Sequence, residues 1–390
     1  MKNNIQKFST FFSNGLVYGL NGIFTIFPLY LAQYFDSVQM GYLLAIPPLV
    51  LCLAPLFWGK VSDKASSQNN VMILLIVGAT LSYCLVPLIK NFYYVAILLT
   101  LYAFFQSSFG SLIDVLTIRS AEKFKVNYGF FRTNGAFLYG FMTFFVTIFA
   151  KVETSFYIFA IVALLACVCV YLMPKVSTKR VVFEKKEKKQ SVLKNKELWF
   201  LIAVIAPAYF AWGYYHNFFP SYITETLGLN KSVWGIVAFL TAFSELPFFF
   251  YYNRIFNKFR LKHILTLSLF VLIIRYIIYT FVTNVALLIV VSFVTGLFIT
   301  VLIYCITRYI VMLIAPEFVN RAQSMAYAFG TGIPKVLAGC FGGYMTKFLG
   351  EVNSFLLCAG LIFLGLMLIF IFKRTIDSID EKLFFQKTKG

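Results

Sequence analysis

The sequence predicts an all-α membrane protein with twelve transmembrane helices arranged as two six-helix bundles. Three observations carry that expectation. Of its 390 residues, 60% are hydrophobic and only 13% are charged, and the mean hydropathy of +0.82 lies well above that of soluble chains. Twelve apolar runs each approach the ~20 residues that cross a ~30 Å hydrocarbon core as a helix. A strongly basic stretch separates the first six runs from the last six.

The runs lie at 9–34, 39–59, 71–89, 92–118, 128–150, 154–173, 199–223, 232–253, 264–282, 285–314, 324–346 and 353–372. The first is too long for the hydrophobic region of a signal peptide and lacks an obvious small-residue cleavage site. Cytoplasmic loops retain Lys and Arg. With both termini cytoplasmic, 26 of the 34 basic residues fall on that side, only Lys90, Lys151, Lys231 and Lys347 on the other, and four lie in the membrane. The opposite topology inverts this split, so an integral plasma-membrane protein with both termini cytoplasmic is expected. The formal net charge of +19 then reflects topology and calls for no nucleic-acid partner. All seven cysteines fall inside apolar runs without metal-ligand spacing. They read as small hydrophobes, and no disulfide, metal site or cofactor is expected.

Residues 174–197, PKVSTKRVVFEKKEKKQSVLKNKE, hold nine Lys/Arg and three Glu. They mark a basic cytoplasmic linker (174–198) between an N-terminal six-helix bundle (1–173) and a C-terminal one (199–373), followed by a cytoplasmic tail (374–390). Six spans on each side prompt a search for a repeat. FPLY at 27–30 is answered by FPSY at 219–222, 192 residues on, and Gly41 is answered by Gly235 at an offset of 194. At that second offset Gly59-Lys60 faces Asn253-Arg254, and Asp63-Lys64 faces Asn257-Lys258. Four matches in order at nearly one offset point to a duplication.

Twelve spans, cytoplasmic termini, a basic central loop and a six-plus-six parallel repeat describe the major facilitator architecture, in which substrate sits between the halves near the midplane. WGKVSDK (58–64), between spans 2 and 3, is similar to that superfamily's loop signature of Gly, three residues, Asp and a base. The resemblance implies a gating role for Gly59, Asp63 and Lys64, although Ala65-Ser66-Ser67 replaces the usual basic continuation; a solvated turn is the alternative. NYGFFRTNGA (127–136) opens span 5. Together with Asp114, Glu245, Arg275 and Arg308 it resembles the branch that contains phenylpropionate permease and nucleoside–proton symporters, with lactose permease more distant.

Ionisable groups at bilayer depth are costly and mark ion or substrate pathways. Here they are Asp114 (span 4), Arg132 (span 5), His216 (span 7), Glu245 (span 8), Arg275 (span 9), Arg308 (span 10) and Lys335 (span 11). Ser107, Gly110, Ser111 and Asp114 recur at three- and four-residue steps, a small polar stripe that either packs on a helix or borders water. Asp114 is therefore either half of an Asp–Arg pair with Arg132 or a site carboxylate. Arg132 lies near enough to one face to snorkel. His216, beside Asn217, reads equally as a group titrating in the physiological range or as a neutral hydrogen-bonding residue. Glu245 precedes Pro247, whose freed carbonyl is tolerated where protein or cavity water satisfies it. The resemblance makes Glu245 a site residue; pairing with Arg275 is the alternative. Arg275 stands among large apolar side chains and requires a partner inside the bundle. Gly330, Gly332 and Pro334 should break or bend span 11 beside Lys335, which points to a gate or ligand site or to close helix packing. Adding the offset of 194 to 114 gives 308, so Asp114 and Arg308 fall at equivalent depths in the two halves.

The aromatic content, 47 Phe and 24 Tyr, serves lipid contact and interfacial belts, with Tyr18, Phe27, Tyr215 and Tyr304 as candidates to line a cavity. Two acids against four bases leave +2 at depth with His216 neutral, and a substrate carboxylate or phosphate completes the pairing unless Arg132 and Lys335 both snorkel. Lactose permease couples protons through a His and a Glu on its tenth helix. Span 10 here (301–313) offers Arg308 and no carboxylate, so Asp114, Glu245 or His216 must carry any proton. The resemblance implies a monomeric, proton-coupled symporter of a small organic solute (aromatic carboxylate, nucleoside or glycoside) working by alternating access. Rival readings are a drug or metabolite efflux antiporter and a non-transporting receptor or scaffold on the same fold. A membrane enzyme is disfavoured, since no His-Glu zinc motif and no credible Ser–His–Asp grouping is present.

Overall fold

The computed structural model describes residues 2–126, 128–175, 194–245, 251, 255–256, 258–314 and 318–387. Most of the basic linker, Pro247, the Asn253, Arg254 and Asn257 repeat positions, and Asn127 of the span 5 motif lie outside the described residues. Among the described residues the chain is helical and has no strand, as lipid requires of segments that must satisfy their own backbone.

The helices in order are α1 (Lys2–Phe24), α2 (Phe27–Ala32), α3 (Ser37–Leu51), α4 (Ala54–Lys64), α5 (Gln68–Leu85), α6 (Phe92–Gln106), α7 (Phe109–Phe124) and α8 (Tyr128–Phe149). There follow α9 (Thr154–Leu172), α10 (Lys196–Ser221), α11 (Ser232–Ser244), α12 (Leu261–Tyr279), α13 (Val285–Leu313), α14 (Val319–Tyr327), α15 (Ile333–Ile371) and α16 (Lys373–Lys387).

Among the described residues, eight helical stretches are long and apolar enough to cross a membrane, or nine when the bent pair α3 and α4 counts as one span. The difference from the expected twelve has local causes. Predicted span 5 is α8, whose early turns carry Arg132, Thr133 and Asn134 and lower its apolarity. Predicted span 8 is described only over the 13 residues of α11. Predicted spans 11 and 12 run together as Arg321–Ile371, turned at Gly350, whose φ of 74° suits a residue without a β-carbon.

Three departures from straight spans bear on the site. Pro47 and Pro48 fall inside α3, and the chain bends by 40° into α4 just before Pro55, since proline lacks a backbone donor and clashes with the carbonyl four residues back. Predicted span 4 breaks at 107–108, between α6 and α7. There Ser107 Oγ donates to the Phe104 carbonyl at 2.8 Å and Ser111 Oγ to the Ser108 carbonyl at 3.2 Å, back-bonding of the kind that bends helices. π-helical turns occupy Tyr222–Thr226 and Ala328–Gly332; the second is the discontinuity expected from Gly330, Gly332 and Pro334.

The chain divides into two compact units: Met1–Glu184 with Phe219–Phe243, and Lys185–Phe218 with Ser244–Gly390. In the first unit, Lys231 Nζ donates to the Ala150 carbonyl and Trp234 Nε1 to the Thr25 carbonyl at 3.3 Å, which ties 219–243 to the ends of α1 and α8. Elsewhere in this unit α1 lies against α8 so closely that a β-carbon on Gly22 would meet the Tyr139 carbonyl oxygen at 2.2 Å.

In the second unit, residues predicted as a tail form α16, which buries Ile376, Ile379 and Leu383. Arg260 supplies no side-chain cap to α12. Asp380 takes that role, accepting from the Leu261 and Lys262 amides at 2.7 and 3.3 Å. Asp377 pairs with Lys262 at 2.8 Å, and that hydrogen bond holds its carboxyl below the usual carboxylate range. Replacing Asp380 by Ala strips the cap from α12, a loss of about 1–2 kcal/mol. A lower apparent melting temperature of the purified protein is the expected result; an unchanged one would mean that α16 contributes nothing to the unit.

Candidate functional site

The predicted site residues divide between the units, with Asp114 and Arg132 in the first and His216, Glu245, Arg275, Arg308 and Lys335 in the second.

In the first unit, Ser107, Gly110, Ser111 and Asp114 form the more accessible side of the 107–124 stretch, while Phe109, Leu112, Ile113 and Leu116 are buried. Asp114 Oδ2 accepts from the Tyr18 hydroxyl at 3.1 Å. Its Oδ1 is buried with no hydrogen-bond partner among the described residues. The opposite side of the assembly is Arg132, whose guanidinium carbon lies 4.1 Å from the centroid of the Tyr18 ring, a cation–π stack. The direct Asp114–Arg132 pair weighed from the sequence is thus replaced by an aromatic bridge. One turn away, Asn14 Nδ2 donates to Thr117 Oγ1 at 3.1 Å, so α1 and α7 meet in two rungs, Asn14 on Thr117 and Tyr18 on Asp114.

Gly135 makes this assembly possible. A β-carbon there would lie 2.6 Å from Asn14 Oδ1, 2.7 Å from the Tyr18 ring and 3.1 Å from an Arg132 guanidinium nitrogen. The RTNGA part of the span 5 motif therefore supplies both the cation and the space beside it. Asn14 and its role were not expected from the sequence. The available signal was on span 1 itself: Asn14, Tyr18 and Asn21 recur at four- and three-residue steps, one face of a helix, and Asn21 accepts from Gln106 at 2.8 Å.

In the second unit, Arg275 is 0% exposed. Its Nε donates to the Tyr279 hydroxyl at 2.9 Å, which in turn shares a 2.7 Å hydrogen bond with Ser292. The guanidinium faces the rings of Tyr215, Trp212 and Tyr279 at 4.4, 5.2 and 5.4 Å. Neither terminal nitrogen has a hydrogen-bond partner among the described residues. The carboxylate partner expected for Arg275 is not found there, Glu245 included; aromatic faces stand in its place.

His216 stands edge-on to Trp212, with centroids 4.6 Å apart, and both are part-exposed. Lys335 begins α15 just past the π-helical turn, its Nζ 5.7 Å from the Tyr209 ring centroid. Gly213 of α10 admits this neighbour, since a β-carbon there would lie 3.1 Å from Lys335 Cα. Arg308 stacks on Phe256 at 5.4 Å, and Glu245, half-buried, ends the described part of predicted span 8. Gly59, Asp63 and Lys64 are exposed and lie on α4, not in a loop. The connection between predicted spans 2 and 3 shrinks to residues 65–67.

Known proteins resemble this chain along nearly its whole length. The sequence pattern of the MFS_1 like family matches residues 16–357. The chain is 23% identical over 353 residues to the uncharacterized transporter YwbF of Bacillus subtilis (strain 168), spanning 87% of this chain and 86% of that protein. Its fold is similar to that of the nucleoside transporter NupG, with a TM-score of 0.81 at 14% identity over 95% of this chain and 98% of that one. A bacterial homolog of the human lysosomal transporter Spinster, in an inward-facing and occupied conformation, gives a TM-score of 0.71 at 11% identity over 96% and 97% of the two chains.

Proposed function

Because the chain belongs to the MFS_1 like family and is an integral multi-pass transporter of the major facilitator type, we propose that it couples proton entry to uptake of a small organic solute by alternating access. The observation that carries this reading is the Asp114 carboxyl group. One oxygen is held by Tyr18, and the other is buried without a donor among the described residues. A charged oxygen in that position is costly, and a proton on it removes the cost. Arg132, stacked on the same Tyr18 ring, is the cation to which the carboxylate turns when the proton leaves. Coupling needs such a change of partner, because a ligand shifts a conformational equilibrium only by binding its two states differently.

Glu245 and His216 are the secondary proton candidates, and Arg308 stands at the repeat position equivalent to Asp114. The reading includes a monomer in the plasma membrane with both termini cytoplasmic, which the distribution of basic residues supports. The solute is an aromatic carboxylate, a nucleoside or a glycoside.

Proteoliposomes loaded with the protein and given labelled benzoate, uridine and methyl β-galactoside test this. A pH difference of about two units supplies roughly 2.7 kcal/mol, enough to concentrate a solute about a hundredfold at one proton per solute. Measured above protein-free liposomes, across which benzoic acid diffuses with its own proton, inward-acid vesicles should leave the transported probe unconcentrated, and outward-acid vesicles should concentrate it toward that limit. Uptake indifferent to the gradient would remove the symport reading.

A further inference from the structure

The geometry points to a carboxylate seat inside the second unit, built on Arg275 with Lys335 beside it and walled by Trp212 and Tyr215. It deepens the transport reading, on which it rests for the claim that the bound carboxylate is the cargo.

A fully buried guanidinium without a counter-charge is among the costliest arrangements in a membrane protein. Among the described residues Arg275 is held in that condition by the Nε hydrogen bond to Tyr279 and by three ring faces. What is left over has a definite shape. The two terminal nitrogens, both unpartnered among the described residues, form the planar edge that grips both oxygens of a carboxylate at once. Glu245 is the one acid of this unit predicted at depth, and among the described residues it supplies no hydrogen bond to the terminal nitrogens of Arg275.

The surroundings select the rest of the ligand. Lys335 packs on Gly213 of α10, the residue next to Trp212, and both Lys335 and Arg275 act electrostatically on the His216 imidazole, so two cations serve one stretch of α10. Trp212 is the wall that gives way: it is part-exposed, whereas Tyr215 and Tyr279 are buried. Turning its indole aside uncovers the Arg275 edge and leaves an aromatic slot for the apolar body of the acid. The π-helical turn at Ala328–Gly332, next to Lys335, belongs to a class of helix defects frequent at functional sites. A planar monoanion with an apolar body fits this set; a phosphate, with a third oxygen to satisfy among ring faces, does not.

The test is thermal unfolding of the purified full-length protein with sodium benzoate and with benzamide, its uncharged isostere, since a ligand of the folded state raises apparent stability. Benzoate should raise the melting temperature along a saturating curve and benzamide should not. Lys335→Gln should weaken the benzoate midpoint about tenfold, and Arg275→Gln should abolish the shift. Equal shifts from benzoate and benzamide, no shift from benzoate, or a benzoate response unaltered in Lys335→Gln would each overturn the seat. The wild-type comparison and Lys335→Gln decide the matter even where Arg275→Gln does not fold. No gradient is involved. Benzoate binding with gradient-indifferent uptake would keep the seat and remove symport, and gradient-driven uridine uptake without benzoate binding would do the reverse.

Discussion

Asp114→Asn is expected to abolish gradient-driven accumulation while leaving the fold intact. The carboxamide has the shape of the carboxyl group, and its oxygen still accepts from the Tyr18 hydroxyl that now reaches Oδ2 at 3.1 Å. Tyr18 therefore keeps its place under Arg132, and the two rungs between α1 and α7 survive. What disappears is the ability to take up and release a proton. Accumulation should fall from about a hundredfold under a two-unit gradient to none. Exchange of labelled for unlabelled solute at equal pH should persist, because it needs no net proton movement. Undiminished accumulation by the variant would make Asp114 a structural residue.

The largest expected effect on stability is that of Gly22→Ala. A β-carbon at this position lies 2.2 Å from the Tyr139 backbone oxygen, and a helix backbone cannot step aside as a side chain can. α1 and α8 must separate, and Tyr18, one turn earlier on α1, is then drawn away from Arg132 on α8. Overpacking of this kind costs about 1–3 kcal/mol, so the variant should melt earlier and lose uptake together. Gly59→Ala is the control. Nothing lies within 4 Å of its β-carbon position, and a change within about 0.5 kcal/mol is expected. Equal melting temperatures for the two variants would show that the α1–α8 approach is not tight.

How much of this could be read from the residues varies with the physics involved. The spans are legible because long apolar runs admit few other fates. Breaks are legible where glycine and proline mark them, as at 330–334. The break at 107–108 is not, because serine back-bonds compete with ordinary helix hydrogen bonds and composition does not say which wins. WGKVSDK reads as a loop by polarity, yet nothing in it after Gly59 stops a helix, and α4 runs through to Lys64. The spacing of Ile376, Ile379 and Leu383 already carries an apolar stripe, which made the tail a helix waiting for a surface.

The site shows the same division. Charge at depth picks out Asp114, Arg132 and Arg275, since an unneeded charge there is expensive. Partner choice is a tertiary matter. Asp114 and Arg132 meet through Tyr18 because Gly135 leaves room for the ring, and Arg275 is met by ring faces from α10 and by its own helix neighbour Tyr279. Opposite charge alone favours ion pairs and says nothing of an aromatic side chain lying between them.

Symport moves protons that can be followed directly. Lightly buffered proteoliposomes are followed with a pH electrode as the transported member of the benzoate, uridine and methyl β-galactoside panel is added outside. Wild-type protein should alkalinise the outside beyond protein-free liposomes, across which benzoic acid carries its own proton, as protons enter with solute, and Asp114→Asn should add nothing to that baseline. Solute entry without alkalinisation, or the same alkalinisation from both proteins, would contradict it.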